Sequence, residues 1–346
     1  MDEIETFVED YREFETLLIL FIFKKLKEGV SVDYLSQQLA IITGSSEIDR
    51  LTEALRQGNK RKVLAILQST RPDLKEPTEA YKRGVLKVDP KELRPVLDSV
   101  IMAGSLAIIS ELDKILDRVG EAVKREYSGI VGRVFVDTQS GMFTREEAVQ
   151  RQMKKLCERG IPVGQSIRED GVVLNYGIES SVRKVVNDKY IDTESKNQMN
   201  VIEGLNCDLI YVSQHLGARV TNHLDYTNHA HWQGRVYSRR GNRKYGDFYE
   251  ETGYGEIQGL RGINCRHHFY PFWEGISKRI KRIPTKDNEQ IYNLSQLYNR
   301  YTRTYKEYKR KYEVLGESKY RKKAQEYSKS RVAVKKQIER LQEKYK

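Results

Sequence analysis

The sequence predicts an α+β fold: a helical N-terminal region, a compact central α+β domain and a basic helical or coiled C-terminal arm. Three observations carry that prediction. Apolar residues recur at spacings of three and four through the first third of the chain. Short β-type runs without regular βαβ alternation replace them near residue 130, and a heptad pattern closes the sequence. The corresponding regions are 1–127, 128–277 and 278–346. At 346 residues, 38% hydrophobic and 32% charged, the chain can bury a core, though a lean one.

In the first region Ile4, Phe7, Val8, Tyr11, Phe14, Leu18 and Phe21 share one face and predict a helix over about 3–27. Gly29 ends it. Ser31 can cap a segment carrying Val32, Leu35 and Leu39, and Ser45 or Ser46 can cap a third helix with Ile48, Leu51 and Leu55. Leu17 to Phe23 is apolar on every face, so it must be covered by the chain's own bundle or by a partner. This is also the longest uninterrupted apolar run, well short of the roughly 20 residues of a membrane span, and no span is expected. A second helical block is expected over about 89–126, with Leu93, Leu97, Ile101 and Leu112 in its pattern. The opening Met1–Glu5 is acidic, unlike a secretory signal, and Cys157, Cys207 and Cys265 form no disulfide framework. A soluble protein made in a reducing cytoplasm is therefore expected.

In the central region Ile130 to Asp137 has strand composition, and Thr144-Arg145-Glu146-Glu147 is a capping box that opens a helix to about Cys157. Short strands are predicted at Val172–Tyr176, Leu209–Ser213, Gln233–Tyr237 and Asn264–Tyr270, with a helix over Thr193–Leu205. In the last region Tyr298, Tyr301, Tyr305, Tyr308 and Tyr312 continue a heptad seam begun by Ile291 and Leu294. Gly316-Glu317-Ser318 interrupts it before Tyr320, Ala324 and Tyr327, which predicts an antiparallel hairpin or coiled arm with a tyrosine seam.

The net charge of +12 is unevenly placed. Between Lys278 and Lys346 stand 22 basic and 8 acidic residues, whereas the first 277 residues balance at −2. Such a tail is attracted to polyanions, most simply nucleic acid. With tyrosine in the seam, Lys309, Arg310, Lys311, Arg321, Lys322 and Lys323 are expected on an outer cationic surface that meets DNA phosphates.

All six histidines fall between His215 and His268. Histidine with cysteine is the chemistry of a zinc site, but there is no Cys-x-x-Cys and no His-Glu-x-x-His. On strands, His229 and His231 would point one way, and Cys265 and His267 likewise, which makes these four the candidate ligands. A hydrogen-bonded polar core that fixes loops is the preferred reading, so no cofactor is assigned, with zinc as the metal that set could take. Catalysis has weaker support. Asn222-His223 and Asn228-His229 only faintly resemble a His-dependent nuclease frame, nothing supplies Cys265 with an oxyanion hole, and no phosphate-binding glycine loop is present. No catalytic residue is assigned and no enzyme is expected.

At this segment the sequence resembles the phage minor capsid protein 2 family, related more distantly to head-morphogenesis proteins of the Mu F type. The resemblance rests on Val212–Arg219, His231–Ser238, Thr252–Gly255, Gly259-Leu260, Gly262–His267 and Pro271–Gly275, in order and at compatible distances. It is strongest over about 170–280. The Val220–Ala230 link departs from it, being longer and carrying His223 and His229. Within these motifs His215, Arg219, His231, Trp232, Gln233, Gly234, Asn264, Cys265, Arg266 and His267 are expected to form the structural polar core. The resemblance implies a low-copy structural virion protein at the portal vertex inside the head, assembled in the host cytoplasm. Its partners would be the portal, other head proteins and double-stranded DNA. The alternatives are a zinc-dependent nucleic-acid-binding module and a histidine-dependent nuclease.

Overall fold

The computed structural model describes residues 3–28, 46–168, 170–242, 244–278 and 281–345. Their elements, in order, begin with α1 (Glu3–Glu28), α2 (Ser46–Gln68), α3 (Lys75–Lys82), a 3-10 turn (Pro90–Leu93), α4 (Arg94–Asp117), α5 (Val119–Gln139) and α6 (Arg145–Arg159). The strands β1 (Pro162–Ile167) and β2 (Val173–Gly177) precede α7 (Ile178–Gly204) and β3 (Leu209–Val212). Then come α8 (His229–Trp232), β4 (Val236–Ser238), α9 (Phe248–Thr252), β5 (Phe269–Pro271), α10 (Thr285–Leu315) and α11 (Ser318–Gln342). Helix accounts for 67% of the residues and strand for 7%, so the fold is α+β with helix dominant. The expected segment at 32–39 lies outside the described residues.

Two units emerge, neither contiguous in sequence. One takes residues 1–66, 105–189 and 303–328, the other 67–104, 190–302 and 329–346. Their limits differ from the region boundaries expected at 127/128 and 277/278.

In the first unit α1 buries Phe7, Val8, Tyr11, Leu18, Ile19 and Ile22, so most of the Leu17–Phe23 run is covered by the chain itself, leaving Leu17 exposed. Tyr11 accepts a hydrogen bond from Asn59 Nδ2 of α2 at 2.8 Å. Glu15, on the same buried face, is 1% exposed. Its Oε1 accepts from the backbone N–H groups of Ile161 (2.9 Å) and Ile178 (2.8 Å), at the two ends of the β1–β2 hairpin. Its other oxygen pairs with Arg310 of α10 at 3.0 Å. Gly160 and Gly177 make room for this carboxylate, since a Cβ at Gly177 would lie 2.6 Å from Oε1 and 3.2 Å from Arg159 O. Thr144 and Glu147 form the predicted capping box at the start of α6.

The 130–137 segment is helix and not strand. Tyr127, Ile130, Val131 and Val134 of α5 are buried at helical spacing, and that burial outweighs the strand preference of their β-branched side chains. The hairpin strand β1 was not foreseen. A second correction concerns hydropathy: the helical stretch Pro90–Gln139 is long and apolar enough, by length and composition, to cross a membrane. Gly104, Ser105 and Ser110 break the uninterrupted run without making the average polar. Only 28% of its most apolar window is buried, and Val96, Met102 and Leu106 stand exposed on α4.

In the second unit β3 is the central strand of an antiparallel β4–β3–β5 sheet, with Tyr211 opposite both Val236 and Tyr270. Ile210, Val212, Trp232, Phe248 and Phe269 form its core with Val201 and Ile202 of α7. The predicted strands at 233–237 and 264–270 shrink because Gly234 (φ 69°) and Asn264 (φ 59°) leave the extended region.

Removing the Glu15 anchor should cost more than a surface ion pair. Glu15→Ala is expected to destabilise the chain by about 3 kcal/mol, because Arg310 and two amide donors lose a buried acceptor. Gly177→Ala should also destabilise it through steric conflict with the same carboxylate, while Gly132→Ala, at a helical glycine with open space, should not. Urea unfolding of the three variants checks this; equal midpoints would show that the carboxylate anchors nothing.

Candidate functional site

The loop that leaves β3 turns at Gly217 (φ 84°), where a Cβ would stand 3.2 Å from Ile291 of α10. One side chain holds that turn. Asn288, fully buried near the start of α10, accepts from the N–H groups of Gly217 and Ala218 at 2.9 Å each and donates to Ala218 O at 3.0 Å. Gln233 closes the other side: its Oε1 accepts from His215 N–H and from His267 Nε2–H, both at 3.0 Å. Gln214 reaches the segment before α10, donating to Lys281 O at 2.6 Å and accepting from Ile283 N–H at 2.9 Å.

Three histidine rings meet inside this frame. His267 lies 4.3 Å from His215 and 5.4 Å from His229, between ring centroids, and the tilted Trp232 ring packs 4.8 Å from it. His229 and His267 are buried, as are Cys265 and Trp232. Cys265 Sγ is 3.5 Å from His267 Nδ1. One potential ligand atom each from His229, Cys265 and His267 falls within 4.8 Å of the others. A metal ion could therefore be held by these three.

His231 does not join them. Residues 229–232 form one turn of helix, not a strand, so side chains two apart diverge. The His231 carbonyl instead accepts from the Arg282 guanidinium. Arg219 holds the rim by donating to Gln258 O (3.2 Å) and Ile263 O (2.6 Å), and Gly234 leaves room for Gln214, since its Cβ would stand 2.6 Å from that amide oxygen. Asn264 and Arg266 are exposed and outside the polar core expected of them. His223 is also exposed, so the nuclease-like pairing of Asn222-His223 with His229 is not assembled.

Sequence reading missed Asn288, Gln258, Arg261 and Glu194. Glu194 of α7 pairs with Arg261 and with His268 Nδ1, and Arg261 also donates to His267 O at 3.0 Å. Burial would raise the Glu194 carboxyl, but His268 and Arg261 outweigh it and hold it below the usual range. Arg261 at positive φ (65°) is the one local signal of constraint, and only the backbone reveals it.

Burial pushes the His229 imidazole down to about 4, holds His267 well below the ordinary value and lowers His215. The three rings are thus neutral near pH 7. Burial raises the Cys265 thiol, so at neutral pH it is a thiol and not a nucleophilic thiolate. The arrangement is suited to ordering loops and to offering neutral ligands, not to attacking a substrate.

A family model described as phage minor capsid protein 2 matches residues 32–343. The chain belongs to that family. It is 27% identical over 202 residues to a structural protein of Lactococcus phage LL-H, covering 56% of this chain and 52% of that one. It is 36% identical over 81 residues to a structural protein of Lactococcus phage mv4, covering 22% of this chain and 65% of that one. The chain thus spans between half and two-thirds of the length of these relatives. No solved structure matches it. This minor capsid family member is thus similar to phage structural proteins over part of their length.

Neutral buried histidines make the second unit acid-labile. Unfolding lets His229 take up a proton near pH 6.5, whereas the folded chain resists until about 4. Stability present above pH 6.5 is therefore lost as pH falls toward 4, by about 3 kcal/mol from His229 alone. Trp232 and Trp273, both in this unit, report it by fluorescence. Urea midpoints should fall between pH 7 and 4.5, and less steeply in His229→Gln; a slope equally steep in that variant would count against the assignment.

Proposed function

We propose that this minor capsid protein sits inside the phage head at the portal vertex, docks on portal or head proteins through α4, and contacts packaged double-stranded DNA through α11. The carrying observation is the exposed charge of α11, where nine basic residues face only two acidic ones in 25 positions. Arg321, Lys322, Lys323, Lys329, Lys335, Lys336 and Arg340 are exposed. Their acidic neighbours pair with them locally along the helix, as in Lys323–Glu326 (2.9 Å) and Lys335–Glu339 (3.8 Å). Such pairs contribute little and are screened, which leaves the positive field available to phosphates.

Three of the six expected DNA-binding residues, Lys309, Arg310 and Lys311, are not part of that surface. Arg310 is 8% exposed and bound to Glu15 and Glu179, and Lys311 is 2% exposed and bound to Glu158 (2.7 Å) and Glu307. Lys309 is half-buried beside Glu313 at 3.6 Å. The DNA contact is accordingly assigned to Arg321, Lys322 and Lys323 and their continuation along α11. Docking is assigned to α4, whose Val96, Met102 and Leu106 lie uncovered, and not to the α1 run that the chain covers itself. No catalytic step is assigned.

Binding of the full chain to duplex DNA should be independent of sequence and strongly salt-dependent. With about five phosphates neutralised, log K against log salt should fall with a slope of roughly −4 to −5. Reversing Arg321, Lys322, Lys323 and Lys336 to Glu should weaken binding at least tenfold without altering helicity by circular dichroism. Affinity that ignores salt, or that survives the reversal, refutes the DNA contact.

The docking assignment is tested separately. Met102→Glu with Leu106→Glu should preserve the fold, because both side chains are exposed, yet abolish incorporation into heads assembled in infected cells. Wild-type amounts of the double variant in purified virions would exclude α4 as the docking helix.

A further inference from the structure

We propose that His229, Cys265 and His267, completed by His215, bind one zinc-class divalent ion. The tautomers favour it. Carbonyl oxygens only accept, so His229 Nε2, 2.8 Å from Gln258 O, carries its proton, as does His215 Nδ1, 3.2 Å from Leu216 O. Gln233 Oε1 already accepts from His215 N–H, so it is oxygen, and the His267 Nε2 beside it also carries a proton. Each ring therefore has one N–H fixed by an oxygen and one nitrogen lone pair left over. That is how oxygen partners outside a metal site orient its histidine ligands.

The left-over lone pair of His267 faces the thiol, and a ring nitrogen of His229 lies in the same small group. Bonds of about 2.0 Å to nitrogen and about 2.3 Å to sulfur put neighbouring ligand atoms of a tetrahedral site about 3.5 Å apart. Cys265 Sγ and His267 Nδ1 stand at 3.5 Å, and the three-residue set spans no more than 4.8 Å. His215 supplies the second, independent observation: its Nε2 is buried without a hydrogen-bond partner, on a ring that packs against His267. A buried nitrogen lone pair left unmatched is costly, and an ion held by the other three would match it once the His215 ring, which stands outside their 4.8 Å set, turns toward them. His231 stands outside the set. Binding replaces the Cys265 S–H bond with a sulfur–metal bond and releases that one proton to solvent, leaving a thiolate and three neutral imidazoles around the ion.

The test uses the full chain, stripped with chelator and titrated with Co(II), which reports ligand type by absorption. One Co(II) per chain is expected, with ligand-field bands of tetrahedral intensity and a thiolate-to-cobalt charge-transfer band, both lost on adding one equivalent of Zn(II). Cys265→Ser should remove the charge-transfer band. His215→Phe should weaken uptake at least tenfold, and His231→Gln should leave it unchanged. Cys157→Ser and Cys207→Ser should keep the band, so the thiolate is identified even if Cys265→Ser folds poorly. Failure of the unmutated chain to take up stoichiometric Co(II), or a charge-transfer band that disappears only with Cys157 or Cys207, overturns the site. Unchanged uptake by His215→Phe overturns the fourth ligand.

Discussion

The buried carboxylate of Glu15 is the constraint on which the first unit depends. A helix that presents only apolar residues can slide or rotate against its neighbours at small cost, whereas a carboxylate with fixed donors cannot. Glu15 fixes α1 to both ends of the β1–β2 hairpin and to α10 through donors from Ile161, Ile178 and Arg310. Burial pushes its carboxyl above the ordinary range, and Arg310 and the two amides pull the other way. The hairpin could not approach so closely without Gly160 and Gly177, so two glycines, one acid and one arginine from four separate stretches are mutually required.

The second unit solves the same problem with neutral groups. Asn288 and Gln233 are amides, each with donors and an acceptor, so one side chain can satisfy several backbone groups without burying charge. Asn288 ties the Gly217 turn to α10, and Gln233 ties His215 to His267. The rings then have no freedom to flip, because each N–H is already committed to an oxygen. A site with preset lone pairs loses less entropy on taking up a ligand than one that must order itself first.

Much of the fold was legible in the sequence because it depends on local signals. The capping box at Thr144, the stop at Gly316 and the short β3 strand follow from side-chain spacing and turn chemistry alone. The tyrosine pattern likewise marks the pairing of α10 with α11, where Tyr308 stacks on Tyr327 with ring planes 7° apart. Residues 130–137 misled because β-branched side chains suit a strand until a helix buries them. In the site, His229, Cys265 and His267 are recognisable as a ligand-type set from their residue types, but the sequence also places His231 beside them, and the structure does not. The reason is one turn of helix at 229–232, which four residues of sequence do not announce. Asn288 and Glu194 were invisible for a different reason: a single polar residue on a helix gains meaning only from what lies across from it.

Net charge is subject to the same limit, and it decides how the tail should be read. A balance of +14 after Lys278 counts side chains irrespective of where they point. On α10, Lys306 faces Glu5 and Glu179, Arg310 faces Glu15 and Glu179, and Lys311 faces Glu158. Those cations neutralise acids of the first 277 residues, so part of the compositional asymmetry is internal complementarity that holds α10 in place. On α11, Lys319 pairs with Glu317, Lys323 with Glu326 and Lys335 with Glu339, local pairs two to four residues apart that screening weakens. Consecutive helices of one hairpin therefore divide the basic residues between them: α10 uses inward cations for folding, and α11 holds most of its cations at the surface.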